Sequence, residues 1–494
     1  MKKYLSIAVV TASLLQPVFA SEKYVTQDEF DEALELLDKI ETKVFSNKIN
    51  WSIDLRGRVD NFKYKMNGIG DNIGKPYDPN APINERREMA YPQTEEWDPH
   101  YSVRGYLNMK AKLEDISFTG RIRFDHSSQT NQRLCILAPQ DIGNDLLAVS
   151  SNKFTSFEVD KAYFDLPLFK QSKLPLIISS GILPTSGGMS SNIIENHPRG
   201  SVFPSLIFDS NVYGGILTAN LSKITGLSNA YVRLVAGKAY TLNDENFYYQ
   251  CNREIIRNMD VAGLFFEFKV PVAWNNLFWI GINKNSNIKA IPFLGSSNVE
   301  NKGSNTALKY LKPLGDITNY GVGIEFRKIS LASGKLDFFL HSAVSDPSPN
   351  GNCVNYTDVD DPTCSVGGEK NPHPFYHSEM GRGTLLKKKG HSIYTGFRYE
   401  IPAKLKTKIG YEFNYGSKYW WSATQGSEDV FNKLATRGNV NEFYLIQPIN
   451  RHLYFRLGYL SIKEKYSGSG WHFGTPLKKD AKQENLYMLF NAYF

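Results

Sequence analysis

Residues 485–494 read NLYMLFNAYF. Taken by twos, Leu486, Met488, Phe490, Ala492 and Phe494 fall on one side, and Tyr487, Leu489, Asn491 and Tyr493 on the other. That is the period of a β-strand. Both sides are rather apolar, and in water the unpaired edges of such a strand would template aggregation. The stretch therefore needs a setting where one face meets an apolar medium and both edges are hydrogen-bonded. A sheet closed on itself in lipid meets both conditions.

Working back from this strand, alternating segments recur as far as Trp51. They are separated in turn by long polar connections (64–100, 127–154, 183–210, 241–258, 286–318, 346–390, 417–439 and 462–483) and short ones (114–115, 167–173, 221–228, 271–275, 329–334, 402–404 and 449–450). The segments between them number about sixteen, each near the about 9–11 residues that a tilted membrane strand requires. Long and short connections alternate without a miss. Transmembrane barrels sort their loops this way, with short periplasmic turns and long outer loops, and a soluble sandwich has no reason to. The fold expected is all-β, a transmembrane antiparallel β-barrel of about 16 strands occupying 49–494, with an even strand number, both ends periplasmic and the last strand paired to the first.

Composition agrees. The 494 residues carry 28 Tyr, 30 Phe, 7 Trp and 38 Gly, which suits strands, interfacial aromatics and turns better than helices. Lys2 and Lys3 precede the short apolar run YLSIAVVTASLL and the small-residue site ending at Ala20, so 1–20 reads as a secretory signal peptide. Loss of Lys2 and Lys3 takes the formal charge from +7 to +5, too little to suggest nucleic-acid binding. Within 21–48, Phe30, Ala33, Leu37, Ile40 and Val44 follow an a/d spacing, which predicts a short periplasmic helix. Its stripe suits a coiled coil in a homotrimer, and equally a helix packed at the barrel mouth.

Alternation also assigns a lumen face. Trp51, Ile53, Leu55 and Val59 point to lipid, while Asp54, Arg56, Arg58 and Asp60 turn inward. On the next two strands the inward set includes Arg104, Tyr106, Asn108, Lys110, Lys112, Arg121, Arg123 and Asp125. Arg56, Arg58, Arg104, Arg121 and Arg123 thus line one wall, joined across the closure by Arg456. Each such charge would cost roughly 2–4 kcal/mol on lipid at midplane, so they must face water or one another. The wall favours a mild anion preference, tempered by inward acids at Asp54, Asp60, Asp125, Glu158, Asp160, Glu325, Glu400 and Glu412. The third long connection, LPTSGGMSSNIIENHPRGSVFPSLIFDS, has the Gly pair, prolines and apolar patches of a packed loop. The aromatic clusters Tyr419-Trp420-Trp421, Trp274, Phe278-Trp279 and Tyr248-Tyr249 are expected in interfacial girdles.

Cys135, Cys251, Cys353 and Cys364 lie in long connections of an exported chain, so disulfides are expected. Cys353 and Cys364 share a loop and make the natural pair, although four cysteines allow three pairings. His373 and His377 stand near Glu379, but Pro374 spoils a helical ligand face, and DVDD is a short acidic turn, so no metal centre is expected. No Cys-x-x-Cys-His and no Gly-x-Ser-x-Gly occurs, and neither cofactor nor catalytic residue is expected.

The leader, the short helix, the Arg-rich first strand and the stretch ILPTSGG…NHPRGSVFPSLIFDSNVYGG together resemble an uncharacterised family of proteobacterial outer-membrane proteins described as porin-like β-barrels. The resemblance spans nearly the whole mature chain, and 182–215 is its most specific part. It implies the barrel and the bacterial outer membrane, but no solute. The tail ending at Phe494 is similar to those that the barrel-assembly machinery reads. In porins the third loop commonly folds into the lumen, which would bring Glu195, His197 and Arg199 toward the arginine wall. The function expected is passive diffusion of small polar solutes. A substrate-specific transporter, an adhesin or scaffold with a plugged lumen, and the sheath of an electron conduit are the alternatives.

Overall fold

The computed structural model describes residues 49–69, 73, 93–96, 99–127, 155–185, 187–239, 259–272, 274–289, 313–350, 387–424, 431–466, 476 and 478–494. The leader, the 21–48 helix, all four cysteines, His373, His377, Glu379, the DVDD turn, Tyr248-Tyr249 and the Glu158 side chain lie outside the described residues. No described helix is long and apolar enough to cross a membrane.

Sixteen long strands form the barrel: β1 Ile49–Ile69, β2 His100–Leu113, β3 Ile116–Ser127, β4 Thr155–Leu168, β5 Leu176–Leu183, β6 Val212–Asn220, β7 Ser228–Ala239 and β8 Met259–Lys269. They continue as β9 Asn275–Lys289, β10 Pro313–Leu331, β11 Gly334–Pro349, β12 Gly390–Glu400, β13 Lys408–Gly416, β14 Gly438–Pro448, β15 Leu453–Tyr466 and β16 Lys478–Tyr493. Each pairs with its successor, and β16 returns to β1, so the sheet has no free edge. A short strand, Gln93–Glu96, extends the β1–β2 pairing toward the long-loop end.

Every segment expected from alternation is a strand, and several run further at the long-loop end. At the closure Leu55 faces Ala492 and Val59 faces Met488. Ile53 and Phe494 exchange both backbone hydrogen bonds, at 2.9 and 2.8 Å, so the last residue is held in the ladder. The last strand thus has partners on both sides, β15 and β1. Its outward face is apolar and open: Leu486 is 53% exposed and Phe490 43%. The same outward belt continues with Ile280, Val322, Leu264 and Phe443 on other strands. Such a ring of exposed aliphatic and aromatic side chains around a closed sheet is what lipid covers.

The dry core lies inside the barrel. The connection 184–211 folds inward and buries Met189, Ile193, Phe203, Leu206, Ile207 and Phe208, against Leu183, Val235, Phe265, Trp279, Phe339 and Tyr394 of the wall. Small inward residues make room for it. A Cβ added to Gly321 would lie 2.8 Å from the Trp279 ring and 3.0 Å from Ile207. The described parts of the connection 417–437, residues 417–424 and 431–437, turn in as well. Its Ala423–Thr424 pairs in parallel with Phe208–Asp209, and Trp420 and Trp421 are buried beside it. Trp279, Trp420 and Trp421 are therefore not girdle residues. Burial is tolerable because Trp420 Nε1 donates to Leu434 O (2.8 Å) and Trp279 Nε1 to His341 Nε2 (3.3 Å). Trp274, 55% exposed and edge-on to Phe326, keeps the expected outward position.

Candidate channel constriction

The inward loop begins with a turn that only glycine tolerates. Gly187 has φ +70°, and a Cβ on Gly188 would fall 1.7 Å from the Phe203 carbonyl oxygen. Asp209 accepts from the Gly187 backbone N–H at 3.1 Å, closing the base of the loop. Ser190, itself at φ 72°, enters the single-turn helix α1 (Ser191–Ile194) and donates to Glu325 at 2.7 Å, while its oxygen lies 3.0 Å from His341 Nε2.

The last two carbonyls of α1 are bonded from the wall. Arg398 donates to Ile193 O at 2.6 Å, and Arg456 to Ile194 O at 2.5 Å. Asn196 accepts from Lys408 at 2.7 Å and from Arg398 at 3.2 Å. Glu195 then holds the tip. It forms an ion pair with Arg56 of β1 and accepts both terminal nitrogens of Arg456 of β15 at 3.1 Å. The same wall carries Asn491, which accepts from Arg56 Nε at 2.8 Å.

The other expected wall residues each have an acidic partner. Arg58 pairs with Asp60 at 2.8 Å and lies 4.6 Å over the Tyr487 ring. Arg104 meets Asp125 at 2.5 Å, Arg123 also pairs with Asp125, and Arg121 meets Asp160 at 2.5 Å while stacking on Tyr106 at 4.2 Å. His197 sits edge-on to Tyr493 with ring centroids 4.5 Å apart. Arg199 goes elsewhere. It reaches Glu267 on β8 at 3.1 Å, a carboxylate it shares with Arg233 of β7. The loop therefore spans the lumen, from the closure wall to the far side of the barrel.

Between α1 and the arginine wall a cleft remains. It has Asp54, Arg56, Tyr106, Arg121 and Lys161 on the strand side and Ser191, Asn192, Glu195 and His197 on the loop side. A second, smaller space lies between α1 and the inward end of the 417–437 connection, and shares Gly187, Ser191 and Glu195 with the first. Lys433 lines it, bridging Glu412 at 2.7 Å and Glu442 at 2.5 Å. Sequence reading passed over Lys161, Asn192, Lys433 and Glu442. Lys161 lies past a register shift in the β3–β4 pairing, which a strict period of two misses. Lys433 is in a connection whose inward course no local pattern announces.

Such a cleft presents charged and hydrogen-bonding groups to a small polar solute. Nothing among the described residues gathers three or more potential metal ligands.

A family model described as "Protein of unknown function (DUF3373)" matches residues 94–492. A search of curated proteins found no match. The fold is similar to solved outer-membrane structures. OprB of Pseudomonas putida shares 11% identity, with 97% of this chain and 100% of that chain covered and a TM-score of 0.45. OmpF of Salmonella typhi shares 9%, with 91% and 99% covered and a TM-score of 0.41. OccK11 of Pseudomonas aeruginosa shares 11%, with 90% and 96% covered and a TM-score of 0.37.

Proposed function

We propose the following for this chain, which belongs to the DUF3373 family of proteins of unknown function: it is an outer-membrane channel that lets small polar solutes diffuse through the cleft between α1 and the arginine wall, with a mild preference for anions. The observation that carries this reading is the placement of that cleft within the lumen, floored by strand side chains and roofed by a loop pinned across the barrel. Charge gives the sign. Arg56, Arg58, Arg104, Arg121, Arg123, Arg456 and Lys161 stand on this wall against Asp54, Asp60, Asp125, Asp160 and Glu195. The excess is positive and small, and in a narrow slot with low-dielectric walls it biases entry toward anions. Membrane placement follows from the outward apolar belt.

Purified protein in planar bilayers under a salt gradient tests this. Steady conductance steps with an anion-selective reversal potential support the channel, and Arg121→Ala should shift that potential toward zero. Cation selectivity would overturn the charge argument.

A plugged scaffold is the second reading, because the 184–211 and 417–437 connections fill the far half of the lumen with dry core. Absence of any conductance from protein shown to be folded selects it. We further assign the tail ending at Phe494 to recognition by barrel-assembly machinery, the 21–48 helix to homotrimer formation, and Cys353–Cys364 to one disulfide. Crosslinking of the periplasmic helix and non-reducing mass mapping test the last two.

A further inference from the structure

At the long-loop ends of the strands the outward face leaves the apolar belt, and charged side chains begin. Between β7 and β12 three of them come as opposite pairs. Lys238 of β7 meets Asp260 of β8 at 2.7 Å, Lys284 of β9 meets Asp316 of β10 at 2.8 Å, and Lys389, just before β12, meets Asp346 of β11 at 2.8 Å. Another sector is arranged differently. On β15, β16 and β1 the register sets Lys463 opposite Lys482, and Lys482 opposite Lys65, all three exposed on the outer face. Lys63, Lys465 and Lys478 flank this row on the same face.

Three lysines directly opposite one another across neighbouring strands repel, and cross-strand like charges are destabilising. The acids nearby relieve only the central one, Lys482. Glu484 pairs with Lys482 at 2.7 Å, Glu96 pairs with Lys63, and Asp480 accepts from Asn67 at 2.8 Å. Among the described residues Lys65, Lys463, Lys465 and Lys478 have no acidic partner. Depth matters too. Tyr459 and Leu486, which face each other, mark the edge of the apolar belt in this sector. The lysine row lies four pairs further out, about 13 Å along the tilted strands, where polar headgroups replace acyl chains.

We propose that this row is a binding site for the phosphate groups of an anionic lipid in the outer leaflet. A lipid fits these features: acyl chains lie on Tyr459, Leu457, Leu486 and Met488, phosphates meet the lysines, and the several acceptor oxygens of a tetrahedral phosphate let one group bridge neighbouring ammoniums. A second copy of this chain would bring like charge to the same place. The inference rests on the outer-membrane placement proposed above, and not on conduction.

The test uses full-length protein in phosphatidylcholine vesicles doped with bis-phosphorylated lipid A, or with the same lipid after enzymatic dephosphorylation. Retained lipid per barrel is counted by native mass spectrometry. Wild type should retain the phosphorylated form and shed the other. K65Q/K463Q/K478Q, which leaves the Lys482–Glu484 pair intact, should lose affinity by roughly fivefold per lysine. K238Q/K284Q/K389Q, which removes the paired lysines, should retain lipid as wild type does. Equal loss in both triples, no loss in the first, or equal retention of dephosphorylated lipid would overturn the site. So would a change of oligomer mass in the first triple without a change in bound lipid, which would make the row an interface between copies. Conductance recorded on the same samples separates this outcome from failure of the channel reading.

Discussion

Glu195 shows how much one side chain can decide. It takes ion pairs from two strands that flank the barrel closure, through Arg56 and Arg456, and its own backbone carbonyl accepts from Tyr454 at 2.6 Å. Replacing it by Gln would leave two arginines beside the cleft without their carboxylate. Glu195→Gln should therefore raise anion selectivity, measured as a larger reversal potential of the same sign, and widen the scatter of step sizes as the loop loosens. Trp420 makes a different point. It is wholly buried, so Trp420→Ala should cost about 3–5 kcal/mol through the cavity it leaves, read as an earlier unfolding transition in urea. Strand periodicity made the lumen faces of Arg56, Arg121 and Arg456 legible in the sequence, because a period of two needs no tertiary information. It could not say that Glu195 would meet Arg56 and Arg456, or that Arg199 would turn to Glu267. Those choices depend on where a long loop lands.

Elements differ in how far local rules reach. The strands were legible because lipid outside and water inside impose opposite demands on successive residues. The 417–437 connection was not, since its inward course depends on a two-residue pairing with Phe208–Asp209 and on Trp side chains that an interfacial girdle would explain equally well. The turn between β10 and β11 shows local strain. Ala332 and Ser333 close a two-residue hairpin with φ 46° and 66°, a conformation better suited to Asn-Gly. Ser333→Gly should stabilise the barrel by about 1 kcal/mol, seen as slower unfolding in urea, while leaving conductance unchanged. At the loop base the opposite holds. Gly188→Ala would force a Cβ onto the Phe203 carbonyl, so loop 184–211 should leave its seat and protease cleavage within it should rise several-fold.

For the whole molecule, closure and filling are separate achievements. Sixteen paired strands abolish the edge, and two inward connections then convert a wide lumen into a slot along one wall. The outer surface repeats that asymmetry, since the lysine row lies on β15, β16 and β1, the strands that hold the tip of the loop. The pinned tip has a further consequence. Arg56 is held by a loop carboxylate, yet it borders the open cleft, so a passing carboxylate or phosphate competes with Glu195 for the same guanidinium. Traffic and fastening then draw on one group. Current carried by such anions should level off as their concentration rises, while potassium current keeps climbing, and the ceiling should vanish with Arg56→Ala.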